Sequence, residues 1–296
     1  MKDYYGKGIT KRICEPLVSV INNTIVDVPL TAGDKRQGLR TGYGVVDRDL
    51  KGCHPSELIV IGSRPGVGKT TLMQNIAANM AIRYKKKILV FNTEMTNEQF
   101  VRRMLAAESG LLWHKVDEPG KIDLLETERF YQAANQIANA NIYVNDISDC
   151  PIEAIENISS DYKFKCGIEA IFIDCLRSID DYEEVFRDSD SPQVRITKAL
   201  KNLAVDLEVP VIVTSNVSKE SEDREDHMPR VSDLRECGCD EVADSIIFVH
   251  RESYFNRDAD LKDRAEVYIA KSKWGVGPNS GYLRWNPYCF RFENLM

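Results

Sequence analysis

The sequence predicts an α/β fold: a mostly parallel central sheet flanked by helices, with antiparallel strands at the end of the chain. Short apolar runs alternate with helix-like patterns from about residue 57 onward, which is how a helix-covered parallel sheet reads. A glycine-rich loop stands between the first run and the first helical pattern, where such sheets place a ligand. After residue 265 the pattern changes to strand-like segments separated by turn residues.

In chain order, the strand candidates are 58–61, 88–91, 142–144, 170–173, 211–214 and 245–249. Residues 70–84 carry Leu72, Ile76, Ala77, Met80 and Ala81 at helical spacing. Thr96, followed three residues later by Gln99, opens a second helix with a capping-box pattern. A third helix is predicted over 192–207, with Ile196, Ala199, Leu200 and Leu203 on one face. The last strands come from AEVYIAKSK, a GVGPNSG turn, and the segments YLRW and YCFRFEN. Residues 1–40 fit neither pattern and read as an arm or linker, leaving 41–296 as one domain. The acidic stretch 180–190 reads as a solvated loop, and Lys85, Lys86 and Lys87 as a cap on the first helix.

Composition excludes several classes. The chain has 296 residues, with 39 Lys plus Arg against 46 Asp plus Glu and a net charge of −7. A hydrophobic share of 43% with 29% charged residues is that of a globular chain rather than a disordered one. No run approaches the roughly 18 apolar residues of a membrane span, and no apolar segment follows the charged start. A cytoplasmic location without membrane contact is the expectation. The eight cysteines are scattered through a chain long enough to bury a core without staples, so they are expected reduced. Cys237 and Cys239 lack a second Cys or His pair at zinc spacing.

The chemistry centres on Gly62-Ser63-Arg64-Pro65-Gly66-Val67-Gly68-Lys69-Thr70-Thr71, between the first strand and the first helix. The glycines let successive backbone N–H groups converge on phosphate oxygens; Lys69 reaches the β and γ phosphates and Thr70 holds magnesium. Residues Arg64 to Thr71 are therefore the expected site for ATP with Mg²⁺. Ser63 stands where the regular pattern has glycine. Asp174 ends an apolar run, where a carboxylate meets the phosphates as the second magnesium group. Glu94 follows the run KILVFN at the same sheet edge and is placed to polarise the attacking water.

Together with GLRTGYGVVDRDLKG, NTEM, IFIDCL, VPVIVTSN, SDLRECG and IAKSKWGVG, in this order, the chain resembles the RecA-like motor domain of DnaB-type replicative DNA helicases over roughly residues 38–290. The resemblance implies a RecA-like P-loop fold and a hexameric ring that hydrolyses ATP at subunit interfaces and moves along single-stranded DNA. It puts Lys69 and Thr70 on the phosphate-loop pair, Glu94 on the catalytic glutamate and Asp174 on the Walker B aspartate. Asn216 falls where the family has a glutamine that senses the γ-phosphate, and keeps the amide one methylene shorter. Arg235, Glu236 and Gly238 fall on the loop that contacts the DNA backbone. Lys271 and Lys273 fall on a Lys-x-Arg pair that reaches a neighbour's γ-phosphate, with Lys273 replacing the planar arginine fork by a point charge.

The resemblance also implies a helicase loader or primase as partner and an additional helical N-terminal domain. Residues 1–40 are too few to hold that domain, which leaves a compact phage or mobile-element helicase or a fragment as open readings. Two alternatives stand beside the motor: an ATP-switched single-strand-binding or helicase-associated protein with little turnover, and a RecA- or KaiC-like ATPase on the same core.

Overall fold

The computed structural model describes residues 38–118, 122–148, 150–181, 191–256, 262–274 and 278–295. The expected arm up to residue 37 and most of the acidic stretch, 182–190, lie outside the described residues.

One large sheet organises the chain. Its parallel strands are β1 (Leu58–Ser63), β2 (Ile88–Asn92), β3 (Ile142–Asn145), β5 (Ala170–Asp174), β7 (Val211–Asn216) and β8 (Ser245–His250). Antiparallel β9 (Arg264–Lys271), β10 (Asn279–Asn286) and β11 (Arg291–Asn294) extend one side, giving the order β11-β10-β9-β8-β1-β7-β5-β2-β3. The short strands β4 (Cys150–Pro151) and β6 (Ile179–Asp180) pair separately. β1, β2, β5, β7 and β8 are buried almost throughout, because helices cover both faces; this is why they read as unbroken apolar runs. One apolar cluster lies on each face, one built around Ile59, Ile61 and Phe172, the other around Leu58, Val60 and Phe248.

The helices are α1 (Gly44–Leu50), α2 (Lys69–Ala78), α3 (Asn97–Ser109), α4 (Trp113–Asp117), α5 (Leu124–Ala138), α6 (Ile152–Cys166), α7 (Pro192–Leu207), α8 (Cys239–Val242) and α9 (Glu252–Phe255). The predicted capping box at Thr96 and Gln99 opens α3, and Ser191 with Pro192 opens α7 over the predicted range. The helix predicted over 70–84 is α-helical only to Ala78 and then widens into a π turn at Asn79–Arg83. There the Asn79 amide donates to the Thr41 carbonyl at 2.9 Å, tying the segment before α1 to the helix that follows the glycine-rich loop. Of the three lysines after this helix, Lys86 donates its N–H to the Met80 carbonyl at 2.9 Å and pairs its ammonium with Glu169, while the Lys87 ammonium donates to the Cys166 carbonyl at the end of α6.

The sequence reading overlooked α5. Its inner stripe is narrow, Phe130, Ala133 and Ile137, with only Ala133 fully buried, while Leu124, Leu125 and Tyr131 stand exposed and blur the helical pattern. Its start is nevertheless written in a capping box, Asp123 with Glu126. Residues 279–281, expected in the turn, already belong to β10. No helix among the described residues is long and apolar enough to cross a membrane.

Candidate functional site

Strand register gathers the candidate residues at one edge of the sheet. Ser63 pairs with Asn216, and Asn92 with Asp174, so the ends of β1, β7, β2 and β5 lie side by side. Past Ser63 the chain turns through Gly66 (φ 77°) and Gly68 (φ 128°), angles that L side chains rarely adopt. A Cβ at Gly66 would lie 3.0 Å from the Tyr254 hydroxyl, and one at Gly68 3.1 Å from Phe292. The loop leads into α2, whose first residues are Lys69 and Thr70, so the unpaired N–H groups of the helix start face the same space. Ser63 itself is buried, its hydroxyl donating to the Arg64 carbonyl at 2.9 Å. The glycine this edge requires is Gly62, where a Cβ would meet the Phe248 ring at 2.7 Å.

Asp174 has no exposed surface. Its Oδ1 accepts from the Thr70 hydroxyl at 3.0 Å and from the Thr214 hydroxyl. Its backbone carbonyl accepts from the Thr93 N–H and hydroxyl, both at 2.8 Å, which locks β2 to β5 just before Glu94. Burial pushes the Asp174 carboxyl up, against the hydrogen bond from Thr214 and the charge of Lys69. Oδ2 is buried without a hydrogen-bond partner among the described residues. A buried carboxylate oxygen left open beside a threonine hydroxyl is hard oxygen chemistry, and it fits a magnesium ion holding its own waters.

A cavity of about 370 Å³ opens on this edge, lined by Pro65, Gly66, Gly68, Lys69, Thr70, Thr71, Glu94, Arg103, Asn216, Trp285 and Phe290. Lys69 is 7% exposed, whereas Glu94 is exposed. The structure thus brings together most of the predicted loop with Glu94 and Asn216, and sets Asp174 behind Thr70. Two loop residues face elsewhere. The Arg64 guanidinium turns to Glu222 and the Val217 carbonyl, and Val67 is buried.

Arg103, Trp285 and Phe290 were missed by the sequence reading. Arg103 projects from α3, its guanidinium 4.8 Å from the Phe290 ring centroid, and burial pushes its pKa down against the charges of Asp174 and Glu94. One signal was available: Arg103 stands two turns into the helix that follows Glu94, whose start the sequence marks. Trp285 and Phe290 arrive from β10 and the turn after it, far away in sequence. No local pattern points to them.

The remaining candidates lie elsewhere. Lys271 pairs in register with Ile246, and Ile246 with Val60, so Lys271 sits toward the start of the parallel strands, away from the phosphate loop. Its ammonium donates to the carbonyls of Asp240 and Glu241, each at 3.0 Å, at the end of α8. Lys273 is exposed and lies 3.6 Å from Asp244, while its neighbour Trp274 packs against the buried His54 ring at 4.2 Å. Arg235 projects into solvent, 78% exposed, with Asp240 at 3.7 Å. Glu236 is exposed beside it; Gly238 is buried, takes a φ of 68° and donates its N–H to the Arg235 carbonyl.

The family profile described as the DnaB-like helicase C terminal domain matches residues 38–294. The replicative DNA helicase DnaB of Geobacillus stearothermophilus is 32% identical over 269 residues, covering 90% of this chain and 59% of that protein. The replicative DNA helicase DnaB of Pasteurella multocida is 34% identical over 263 residues, 87% of this chain and 56% of its own length. The chain therefore spans little more than half the length of these curated relatives. Among solved structures, a DnaB-like replicative helicase solved for its interactions with primase superposes with a TM-score of 0.84 at 26% identity, covering 96% of this chain and 68% of that one. A chain solved as an ATPase domain also gives 0.84 at 26% identity, over 95% of this chain and 97% of that one.

Proposed function

Because this chain belongs to the DnaB-like helicase C-terminal domain family, we propose that residues 41–296 form the ATP-hydrolysing motor of a replicative DNA helicase, with 1–40 as its arm. It acts on single-stranded DNA as a ring of identical subunits, six as the resemblance implies, in the cytoplasm and with a loader or primase as partner. The observation that carries the reading is a division between two edges of one sheet. Lys69, Thr70, Glu94 and Asn216 line or adjoin one cavity, while Lys271 and Lys273 lie toward the other edge. The Lys271 ammonium is held by the Asp240 and Glu241 carbonyls, and the Lys273 ammonium lies beside Asp244, whose N–H bonds the Leu58 carbonyl at the start of β1, so both point away from the cavity of their own chain. Only a second subunit would bring these ammonium groups to a phosphate.

In this reading the loop N–H groups and Lys69 bind the phosphates of ATP. Thr70 and Asp174 would hold a magnesium ion, which would supply positive charge against the phosphates. Glu94, which lines the same cavity as Lys69, accepts a proton from the attacking water and orients it. The Asn216 amide reads the γ-phosphate, and Arg103 adds a positive charge from the same chain. Arg235 meets the DNA phosphates from an exposed turn; the Gly238 N–H, already hydrogen-bonded, does not. The shorter Asn216 and the Lys273 ammonium paired with Asp244 favour a second reading, an ATP-switched binder with slow turnover.

Steady-state ATP hydrolysis across protein concentration, with and without single-stranded DNA and beside Lys69→Ala, separates the two. The motor reading expects turnover that rises with concentration and with DNA and disappears in Lys69→Ala. Tight ATP binding without turnover under every condition selects the switch, and full activity in Lys69→Ala rejects the site.

A further inference from the structure

Arg251 follows β8 and reaches behind the phosphate loop. Its Nε donates to the Val67 carbonyl at 2.7 Å and its Nη2 to the Gly66 carbonyl at 2.8 Å. The guanidinium lies 4.9 Å from the Trp285 ring centroid and 5.6 Å from that of Tyr254, whose hydroxyl closes over Gly66. A carbonyl and the N–H of the next residue share one rigid peptide plane. Holding the Val67 carbonyl therefore fixes the direction of the Gly68 N–H, which an anion-binding loop must turn inward, while the Val67 N–H, beyond the Gly66 carbonyl, closes the loop on the Arg64 carbonyl at 3.3 Å. Two successive carbonyls match the planar fork of arginine; an ammonium satisfies them without fixing their relative orientation.

The electrostatics point the same way. Burial pushes the Arg251 pKa down. Among the described residues no carboxylate pairs with it. A partly buried cation without an anionic partner is costly, and phosphates on the inner side of the loop would offset that cost.

We propose that Arg251 is a positioning residue of the phosphate loop. Its fork holds the loop in shape and presets the Gly68 N–H for the phosphates of the nucleotide, whose negative charge completes the site. The proposal rests on the nucleotide reading of the cavity and adds to it a residue outside the loop and outside the cavity lining.

The test is ADP and adenosine binding by calorimetry on the full chain, for the unaltered protein, Arg251→Lys and Arg251→Met, alongside unfolding temperatures without nucleotide. Arg251→Met is expected to bind ADP about tenfold or more weakly, the loss of a charge-assisted pair of bonds, with Arg251→Lys recovering part of it. Adenosine, which carries no phosphate, is expected to show no such difference. Should Arg251→Met fail to fold, Arg251→Lys carries the test, since it keeps the charge and loses the fork. A variant that melts earlier yet binds ADP like the unaltered chain would make Arg251 a packing residue and overturn the proposal. An unaltered chain that binds no ADP overturns the nucleotide reading itself, and the proposal with it.

Discussion

Asp174 and Glu94 are carboxylates at the ends of neighbouring strands, and their surroundings separate their work. Asp174 is enclosed and bound by two threonine hydroxyls, a setting that fixes geometry and suits a cation. Glu94 stands exposed on the cavity wall, where it meets water. Glu94→Gln keeps the shape and removes the proposed base. ATP binding is therefore expected to stay within about twofold while turnover falls about 100-fold or more, as loss of a general base implies. Nucleotide titration beside a hydrolysis assay checks both halves, and unchanged turnover would assign the water to another residue. Neither strand-end carboxylate is distinctive in the sequence alone; the register that sets β2 beside β5 is what makes them one site.

At the scale of an element, the segment from β7 to α8 is held by one buried ion pair. The Asp233 side chain, 1% exposed, takes the Arg224 guanidinium and the Arg230 N–H. Burial pushes its carboxyl up, but the bonds from Arg224 and Arg230 outweigh this and hold it below the ordinary value. A depressed folded pKa gives stability that is fully present above the unfolded value, about 3.9, and is lost as pH falls through the folded one. Asp233→Asn leaves Arg224 without its partner and is expected to cost about 3 kcal/mol at neutral pH. Chemical denaturation across pH reads both effects: the acid limb of the stability profile should flatten in the variant. A limb identical to that of the unaltered chain would remove Asp233 as its source. Because Arg235 follows on the same short helix, Val231–Cys237, this pair also sets where the exposed arginine projects.

For the whole molecule, the proposed motor makes assembly part of the chemistry, because loop and lysines lie apart on the sheet. Lys69→Ala subunits retain Lys273, and Lys273→Ala subunits retain the phosphate loop. Each is expected to be inactive alone. Mixed, they create interfaces in which an intact loop faces an intact lysine, so activity should reappear well above either parent. Hydrolysis measured against mixing ratio checks this. A flat response at intact assembly would mean that Lys273 does not serve a neighbour's nucleotide.

The six parallel strands, the phosphate loop and the starts of α3 and α7 were legible before any coordinates, because they depend on local signals. Those signals are apolar runs long enough for a strand buried on both faces, glycines at left-handed turns, and side chains that cap a helix. The same runs put Asp174, Glu94 and Asn216 at strand ends, although the strand order that makes them neighbours came from the register. Long-range packing settled the rest. Trp285 and Phe290 enter the cavity because β9 and β10 fold back beside β8, and no short-range pattern encodes that approach. Arg64, inside the motif, turns away toward Glu222, while Arg251, far outside it, grips the loop. Motif membership records proximity along the chain, whereas the direction of a side chain is set by the partners that packing supplies.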